Sequence, residues 1–435
     1  MHTNELGMKM KPFQIAADVN KQKNGISYRW YMLILAALTN TIAVAMPAMA
    51  LSVLLPEISQ EMDLSLVQAG WVWGIYGLPG VVTGLIGGAL GDRYGAKRIL
   101  TISCFLIAIL GGLRGIAWSF MSLAFMSLMF GIITPVITMN DLKAAGTWFP
   151  NRELGLASGI VAMGMAAGFM LGSAMSATYL SPWLGGWRFV FLFYGVLTIL
   201  LVLPWYFSRR EHQTDAPQHA QSGAIKTILH GMLHIVKNRN IWLLGLSAMG
   251  FNGAIQGIMG YLPLYLRSIG WEGANADATL GVLYAASLIF VLPIALGSDK
   301  LGSRKKVLLV ACSLITAGLL LLSIFTGNVI WLAVILVGIV RDGFMAVLLT
   351  TTIETKGVGT AYAGTATGFV MVFIGLGNLF APPLGNSLAI MNAQSPFLFW
   401  GGLALLAFIC IGFTVEKPAA SLELETNFRI AESAE

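Results

Sequence analysis

The stretch ALGDRYGAKRIL, residues 89–100, returns later in the chain as LGSDKLGSRKKVL, residues 296–308. Each copy has an acid followed by a base, a glycine three positions after the acid, and a basic pair five and six positions after it. Asp92 matches Asp299 at an offset of 207 residues, and Gly131 matches Gly338 at the same offset. An offset shared by separate motifs indicates that the chain is built from two duplicated halves.

Apolar residues dominate the chain: 57% of its 435 residues are hydrophobic, only 11% are charged, and the mean hydropathy is +0.77. A helix needs about 20 mostly apolar residues to cross roughly 30 Å of hydrocarbon. Twelve runs meet this condition, at 31–55, 69–90, 99–118, 120–140, 154–178, 187–207, 241–266, 278–298, 307–326, 329–350, 360–387 and 397–415. We therefore predict an all-α integral membrane protein with twelve transmembrane helices in two pseudo-symmetric six-helix bundles.

The polar stretches divide the chain into five predicted parts. Both ends are polar, and a polar, basic connector separates the sixth apolar run from the seventh. The parts are a cytoplasmic N-terminal tail (1–29), an N-terminal six-helix half (30–207), a cytoplasmic connector (208–240), a C-terminal six-helix half (241–415) and a cytoplasmic C-terminal tail (416–435).

Basic residues alternate between the two sides of the predicted bundle. Most of the 26 lysines and arginines fall in the tails or in every second loop, at 91–98, 141–153, 208–240, 299–306 and 351–359. Such loops stay in the cytoplasm, so we expect both termini to be cytoplasmic, with the protein in the inner membrane of a bacterial-type cell. The net charge of +6 then reflects topology and does not predict nucleic-acid binding. Lipid headgroups are the expected partners of the basic loops.

GALGDRYGAKR (88–98) and SDKLGSRKK (298–306) resemble the loop signature of the major facilitator superfamily and its degenerate second copy. The resemblance covers residues 30–415 and implies a secondary transporter, with no cofactor and no enzymatic activity, that works by alternating access of its halves. It also implies a cytoplasmic gate that ties the halves together in the outward-open state. The expected gate residues are Asp92, Arg93, Gly95, Arg98, Asp299, Gly302 and Arg304. We expect the monomer to be functional.

The segment DLKAAGTWFPNRELGLASG, residues 141–159, is similar to the corresponding loop of anion porters in that superfamily, including the nitrate/nitrite and cyanate branches. Nitrate carriers have glycine-asparagine signatures in helices five and eleven. Here the eleventh helix reads Gly377-Asn378, but the fifth reads Gly168-Phe169. The resemblance therefore favours an anionic substrate, while the fifth helix argues against nitrate.

Two charged residues fall at the centre of the tenth predicted helix, Arg341 and Asp342. A charge at this depth costs roughly 2.5–3.5 kcal/mol on insertion scales, so both are expected to face a cavity. Neighbours on a helix point about 100° apart, so we expect each to have its own partner rather than to pair with the other. Arg114, near the end of its run, is expected to extend to the membrane interface.

These charges lead to a hypothesis about the substrate site. Arg341 would hold an anionic group, such as a carboxylate, through charge-assisted hydrogen bonds. Asp342 would carry the coupling proton or orient Arg341. The alternative is a structural pair between helices, made with a partner that the sequence does not reveal.

Other polar and aromatic residues on central helices could complete the pocket. We assign Asn40, Asn252, Gln256, Trp73, Tyr76 and Tyr284 to this group. Packing between helices remains an alternative role for each of them. Gly155, Gly159, Gly164, Gly168 and Gly172 recur along one side of the fifth helix and predict close packing there, or a role in rocking.

Competing functions lack their motifs. The sequence has no GxxxxGK[ST] loop of a primary pump and no HExxH or GxSxG of a hydrolase, and its five histidines lie in a tail or the connector. The runner-up is efflux of amphipathic drugs by proton antiport, because 21 methionines provide adaptable apolar surfaces. Uptake of a small inorganic anion is a further alternative. The reading that fits best is proton-coupled symport of a small organic anion.

Overall fold

The computed structural model describes residues 28–149, 153–208 and 232–415, and the regular structure in these ranges is helical. Three predicted parts fall mostly or wholly outside the described residues: the N-terminal tail (1–29), the connector (208–240) and the C-terminal tail (416–435).

The described part of the chain contains twelve successive helical crossings. Eleven are single helices long and apolar enough to span a membrane, and the second crossing is a broken pair. They are α1 (Tyr28–Met62), α2a (Leu66–Ile75) with α2b (Gly80–Tyr94), α3 (Ala96–Ile116), α4 (Phe120–Trp148), α5 (Leu154–Leu184), α6 (Trp187–Phe207), α7 (Arg239–Ser268), α8 (Gly273–Leu301), α9 (Arg304–Ile324), α10 (Val329–Glu354), α11 (Gly359–Ser387) and α12 (Ser395–Gly412). The prediction of an all-α, twelve-helix membrane protein is confirmed.

The duplication read from the sequence is visible in how the helices cross. A Cβ added to certain glycines would overlap the backbone of a neighbouring helix. These glycines occur in pairs, one in each half, and the two residues that a pair would overlap are also sequence counterparts of each other. The matched contacts are Gly131 on Tyr76 with Gly338 on Leu283, and Gly168 on Thr41 with Gly377 on Met249. Both halves therefore use the same close helix crossings, which only glycine permits.

The repeated motif also forms the same turn twice. Helix α2b ends at Tyr94 and α8 ends at Leu301, and the next residues, Gly95 and Gly302, have φ angles of 85° and 60°. Positive φ is unfavourable for residues with a Cβ, so the motif's glycine is required for the turn.

Helix α4 continues further than the sequence suggested. We expected residues 141–153 to form a loop, but α4 runs to Trp148 and Asp141 is fully buried within it. Residues 142–145, LKAA, favour helix, and the helix ends only at Phe149, which is extended because it precedes Pro150. The prediction of a loop at Asp141 was wrong.

Arg114 does not extend to the membrane interface, and that prediction was also wrong. Its side chain is fully buried, and its guanidinium carbon lies 4.0 Å from the ring centre of Phe130 and 4.5 Å from that of Phe191. It donates hydrogen bonds to the carbonyl oxygens of Pro47 (3.2 Å) and Gly111 (3.3 Å). This face of α3 packs against α1, α4 and α6 instead of lipid, so the aromatic rings stabilise the cation.

The fifth helix uses part of its glycine face for packing. A Cβ at Gly164, Gly168 or Gly172 would come within 2.5–2.7 Å of backbone oxygens of α1, whereas Gly155 and Gly159 face open space. The predicted close packing therefore holds for three of the five glycines.

The two halves are joined at one end of the bundle. We call it the acidic end, because it carries Glu57, Glu61 and Glu272; the basic end carries residues 91–98 and 299–306. Hydrogen bonds between the halves that lie at the acidic end or near the centre join Ser52 to Met259, Trp73 to Gln256, Asn386 to Leu66 and Thr178 to Asp277. The described ion pairs at the basic end lie within single halves: Asp92 with Lys143, Arg29 with Glu153, and Arg304 with Glu354. The structure is therefore a state sealed at the acidic end.

We predict that Gly74→Ala weakens this seal. Gly74 lies on α2a, and a Cβ would sit 2.6 Å and 3.0 Å from the carbonyl oxygens of Leu379 and Asn378 on α11. Relief of this overlap, at about 1–3 kcal/mol, requires the halves to separate. A cysteine introduced at the fully buried Ser52 should then react faster with a water-soluble maleimide. Gly159→Ala is the matched control because it adds a methyl group in open space; equal labelling in both variants would contradict the prediction.

We predict that Arg114→Ala strongly destabilises the protein. Removal of a fully buried side chain leaves a cavity between Phe130 and Phe191, and comparable truncations cost about 2–5 kcal/mol. Thermal unfolding of the purified protein measures this effect. Arg93→Ala, at an exposed position, should change the melting temperature little, and similar shifts for both variants would show that Arg114 is not a packing residue.

Candidate substrate site

Arg341 lies at the centre of α10, and its side chain is only 17% exposed. Its Nη1 donates a 2.6 Å hydrogen bond to Oδ1 of Asp342. The expectation that these neighbours cannot pair was therefore wrong. Although neighbouring Cβ atoms point in different directions on a helix, the arginine side chain is long enough for its guanidinium to reach the carboxylate of the next residue.

Asp342 is held by a second helix. Its Oδ2 accepts a 2.7 Å hydrogen bond from the hydroxyl of Ser287 on α8. The backbone N–H of Asp342 in turn donates to the same hydroxyl at 3.3 Å. Ser287 is buried, so it fixes the carboxylate on the side of α10 that faces α8.

Aromatic rings from both halves surround the Arg341 guanidinium. Its central carbon lies 4.6 Å from the ring centre of Tyr284 on α8 and 5.7 Å from that of Phe169 on α5. These rings stack on each other at 4.9 Å, and Tyr76, in the break between α2a and α2b, lies close enough to interact electrostatically with the cation. The cation thus sits where the two halves meet, stabilised by cation–π contact.

The guanidinium has hydrogen-bonding capacity to spare. An arginine has five N–H donors. The Nε of Arg341 is buried and has no partner, although Nη1 is bound to Asp342. A buried donor without an acceptor is costly, and a ligand carboxylate would satisfy it.

Tyr76 and Tyr284 lie near Arg341, but Trp73 and Gln256 bind each other instead. The indole N–H of Trp73 donates to the backbone oxygen of Gln256 at 2.8 Å, and the Gln256 amide points back to the backbone oxygen of Trp73 at 3.5 Å. Both side chains are buried. This pair connects α2a to α7 across the halves, so it contributes to the seal above the site.

The two predicted asparagines occupy different places. Asn252 on α7 donates to its own helix at Ala248 and points to the sulfur of Met345 on α10 at 3.2 Å. Asn40 is fully buried inside the N-terminal half, where its amide donates a 2.6 Å hydrogen bond to Asp141. Asn252 therefore borders α10, whereas Asn40 belongs to a separate polar pair.

Sequence reasoning missed Asp141 and the position of Phe169. The sequence did not indicate that Asp141 is buried, because a charged residue at the start of a predicted loop is expected to be exposed to solvent. The sequence feature that could have predicted a longer helix is the run of residues without a helix breaker that continues to the residue before Pro150. Phe169 could have been found from its place in the fifth helix, where it replaces the asparagine of a recognisable signature.

The gate residues lie at the basic end. Asp92 accepts a 2.6 Å bond from Lys143 on α4, and Arg304 binds Glu354 on α10 through two bonds of 2.6 and 2.8 Å. Arg93 lies over the ring of Tyr94, and Arg98 is exposed. Gly95 and Gly302 form the turns described above, and the side chain of Asp299 is outside the described set.

Metal ligands do not converge in the part of the chain that the structure describes. Within those ranges, no three histidine, cysteine, aspartate or glutamate side chains form a group that could hold a metal ion.

Comparison with known proteins identifies relatives that are named as transport proteins. The chain is 28% identical over 216 residues to the probable galactarate/D-glucarate transporter GarP of Escherichia coli (strain K12), covering 47% of this chain and 46% of that protein. It therefore spans about half the length of that relative. It is 27% identical over 412 residues to the cis,cis-muconate transport protein of Acinetobacter baylyi, covering 90% of this chain and 94% of that protein.

The fold matches known structures as well. The crystal structure of a bacterial homolog to the human lysosomal transporter Spinster superposes with a TM-score of 0.71 at 16% identity, covering 89% of this chain and 96% of that one. The family model described as Major Facilitator Superfamily matches residues 33–370. With its duplicated loop motif, its twelve crossings and this match over most of its length, the chain belongs to the major facilitator superfamily of transporters.

Proposed function

We propose that the protein is a proton-coupled symporter of a small organic anion and that Arg341 binds the carboxylate of that anion. The observation that carries this proposal is the Arg341 guanidinium, central in the membrane span, with a buried and unpartnered Nε. The relatives support it, because both are named for the transport of organic acids.

The energetics favour an anion at this position. A cation near the bilayer centre is unfavourable by roughly 2.5–3.5 kcal/mol. Charge-assisted hydrogen bonds to a carboxylate would offset this cost, and Arg341 already makes one such bond to Asp342. The substrate carboxylate would therefore compete with Asp342 for the same guanidinium.

This competition provides a mechanism for coupling. A proton on Asp342 removes its negative charge and weakens its bond to Arg341, so the guanidinium becomes available to the substrate. Ser287 continues to hold the protonated carboxyl, because a hydroxyl both donates and accepts hydrogen bonds. Anion and proton thus bind together, which is the requirement for symport.

The aromatic rings favour an anion with an apolar or unsaturated body. Tyr284 and Phe169 stack beside the guanidinium, and Tyr76 lies between Trp73 and Phe130 with ring-centre distances of 6.1 and 5.8 Å. Such a wall provides dispersion contacts and few hydrogen bonds. An anion rich in hydroxyl groups would find fewer partners here.

The orientation follows from the charges. We place the basic end in the cytoplasm, with both termini, and the acidic end outside the inner membrane. The structure, sealed at the acidic end, then corresponds to an inward-facing carrier whose halves would close at the gate residues in the opposite state. We also propose that the monomer is functional and that the exposed basic loops bind anionic lipid headgroups.

We predict that Arg341→Gln abolishes carboxylate transport. A lost charged hydrogen bond costs about 1.5–3 kcal/mol, which is roughly 10- to 100-fold in affinity. The test is uptake of a panel of labelled small carboxylates into proteoliposomes, with and without an inward proton gradient. Arg188→Gln, at the acidic end, is the matched control and should transport normally.

The same assay distinguishes the alternatives. Drug efflux would be supported if the wild type and Arg341→Gln transport cationic dyes equally well and neither transports any acid. Transport of inorganic anions alone would support the inorganic-anion alternative. Either result would contradict the assignment of Arg341 to an organic carboxylate.

We predict that Asp342→Asn separates exchange from accumulation. The neutral side chain mimics the protonated state, so exchange of substrate across the membrane without a gradient should persist. Accumulation driven by a proton gradient should be lost, because this position can no longer take up and release a proton. Asp63→Asn, at an exposed position of the acidic end, is the control. Normal accumulation by Asp342→Asn would move the coupling role elsewhere.

A further inference from the structure

Asp141 is a carboxylate in the interior of the N-terminal half. It lies on α4, is fully buried, and accepts a 2.6 Å hydrogen bond from the amide of Asn40 on α1 at Oδ2. Its other oxygen, Oδ1, is buried without a partner. Within the described ranges, no lysine or arginine nitrogen lies within ion-pair distance of it.

An ionised carboxylate in this environment would be very unfavourable. An isolated charge costs several kcal/mol to bury even after local relaxation, and one neutral amide bond does not compensate for it. A protonated carboxyl has no net charge, and one of its oxygens still accepts the Asn40 bond. The geometry therefore suits a carboxylic acid rather than a carboxylate.

We propose that Asp141, held by Asn40, is a second proton-binding site, separate from Arg341 and Asp342, that is occupied in the state sealed at the acidic end. The ligand is the proton itself, bound on Asp141 between α1 and α4. The site is independent of the substrate and of the role assigned to Arg341.

The helices packed against α4 bring few other ionisable groups towards Asp141. The buried thiol of Cys104 on α3 lies within electrostatic range. Lys143, on α4 itself, turns to Asp92 and to the carbonyl of Gly88 on α2b. Several other groups on these helices contact residues other than Asp141: Tyr76 contacts Phe130, Lys97 the Ser208 carbonyl, Arg114 its two rings, Arg29 Glu153, Tyr28 Trp148, Glu57 Ser181, Glu61 Arg188, and Arg93 the ring of Tyr94. Tyr31, Arg98 and Tyr179 are exposed.

The site is joined to a helix that has an irregular segment. Asn40 begins a π-helical segment of α1, Asn40–Ala45, and such segments interrupt the regular helix at functional positions. Beyond this segment, α1 carries Ser52, whose hydroxyl bonds to the Met259 carbonyl of the other half. Loss of the proton from Asp141 would place an uncompensated charge beside this segment, so it would favour movement of α1 and opening at the acidic end.

The test is infrared spectroscopy of the purified protein in lipid bilayers during a pH titration, without substrate. The signal is the C=O stretching band of protonated carboxylic acids. We expect a component in the wild type at neutral pH that is lost in Asp141→Asn. Asn40→Ala should shift its frequency without removing it, because the carboxyl loses its hydrogen-bond donor. Asp342→Asn and Asp277→Asn should retain it.

Two results would overturn the proposal. An Asp141→Asn spectrum identical to that of the wild type would mean that Asp141 holds no proton at neutral pH. A melting temperature raised by Na⁺ in the wild type but not in Asp141→Asn, without the infrared component, would mean that another cation occupies the site. If Asp141→Asn failed to fold, the frequency shift in Asn40→Ala would still decide the question. Because no substrate is used, failure here is distinct from failure of the transport assay with Arg341→Gln.

Discussion

A charge inside the hydrocarbon region must be compensated, and this constraint organises the interior of the protein. Three groups meet it in different ways. Arg114 is enclosed by two aromatic rings and backbone carbonyls, Arg341 by Asp342 and a tyrosine ring, and Asp141 by a single amide. In the first arrangement Nη1 of Arg114 also has no hydrogen-bond partner, but two rings enclose the guanidinium, so we assign it a structural role. Arg341 and Asp141 each have an unpartnered atom as well, but Arg341 lies where the two halves meet and Asp141 has only one hydrogen bond, so we assign them to an anion and a proton.

The scaffold around these charges is symmetric while the charges are not. Matched glycines set the same helix crossings in both halves, and matched turns follow Gly95 and Gly302. Yet the counterpart of Arg341 in the first half is Thr134, whose hydroxyl bonds only to its own helix. Duplication thus produces two similar bundles, and different residues at a few interior positions give each bundle a different function. In our proposal the C-terminal half binds the anion and the N-terminal half holds a second proton.

The seal at the acidic end is connected to both proposed sites, the anion site at Arg341 and the proton site at Asp141. Trp73 and Gln256 join α2a to α7, and Phe169 of the N-terminal half reaches the guanidinium of the other half. The cation therefore lies where the halves meet, close to the contacts that must break when the carrier changes state. Helix α1 links the same seal to Asp141 through Ser52 and the π-helical segment. Binding events at either site can therefore act on the contact between the halves.

The sequence by itself determined the membrane class, the twelve crossings, the duplication and the glycine turns, because hydropathy, offset and backbone preference are local properties of the chain. It also located Arg341 and Asp342, since charges stand out in an apolar run. Only the tertiary structure decided that these two pair, that Arg114 points inward, that Trp73 and Gln256 close the bundle, and that Asp141 is buried. The physical reason is that a side chain's environment depends on which neighbouring helix its face meets, and on how far a long side chain can turn. Neither is encoded in the spacing of residues along one helix.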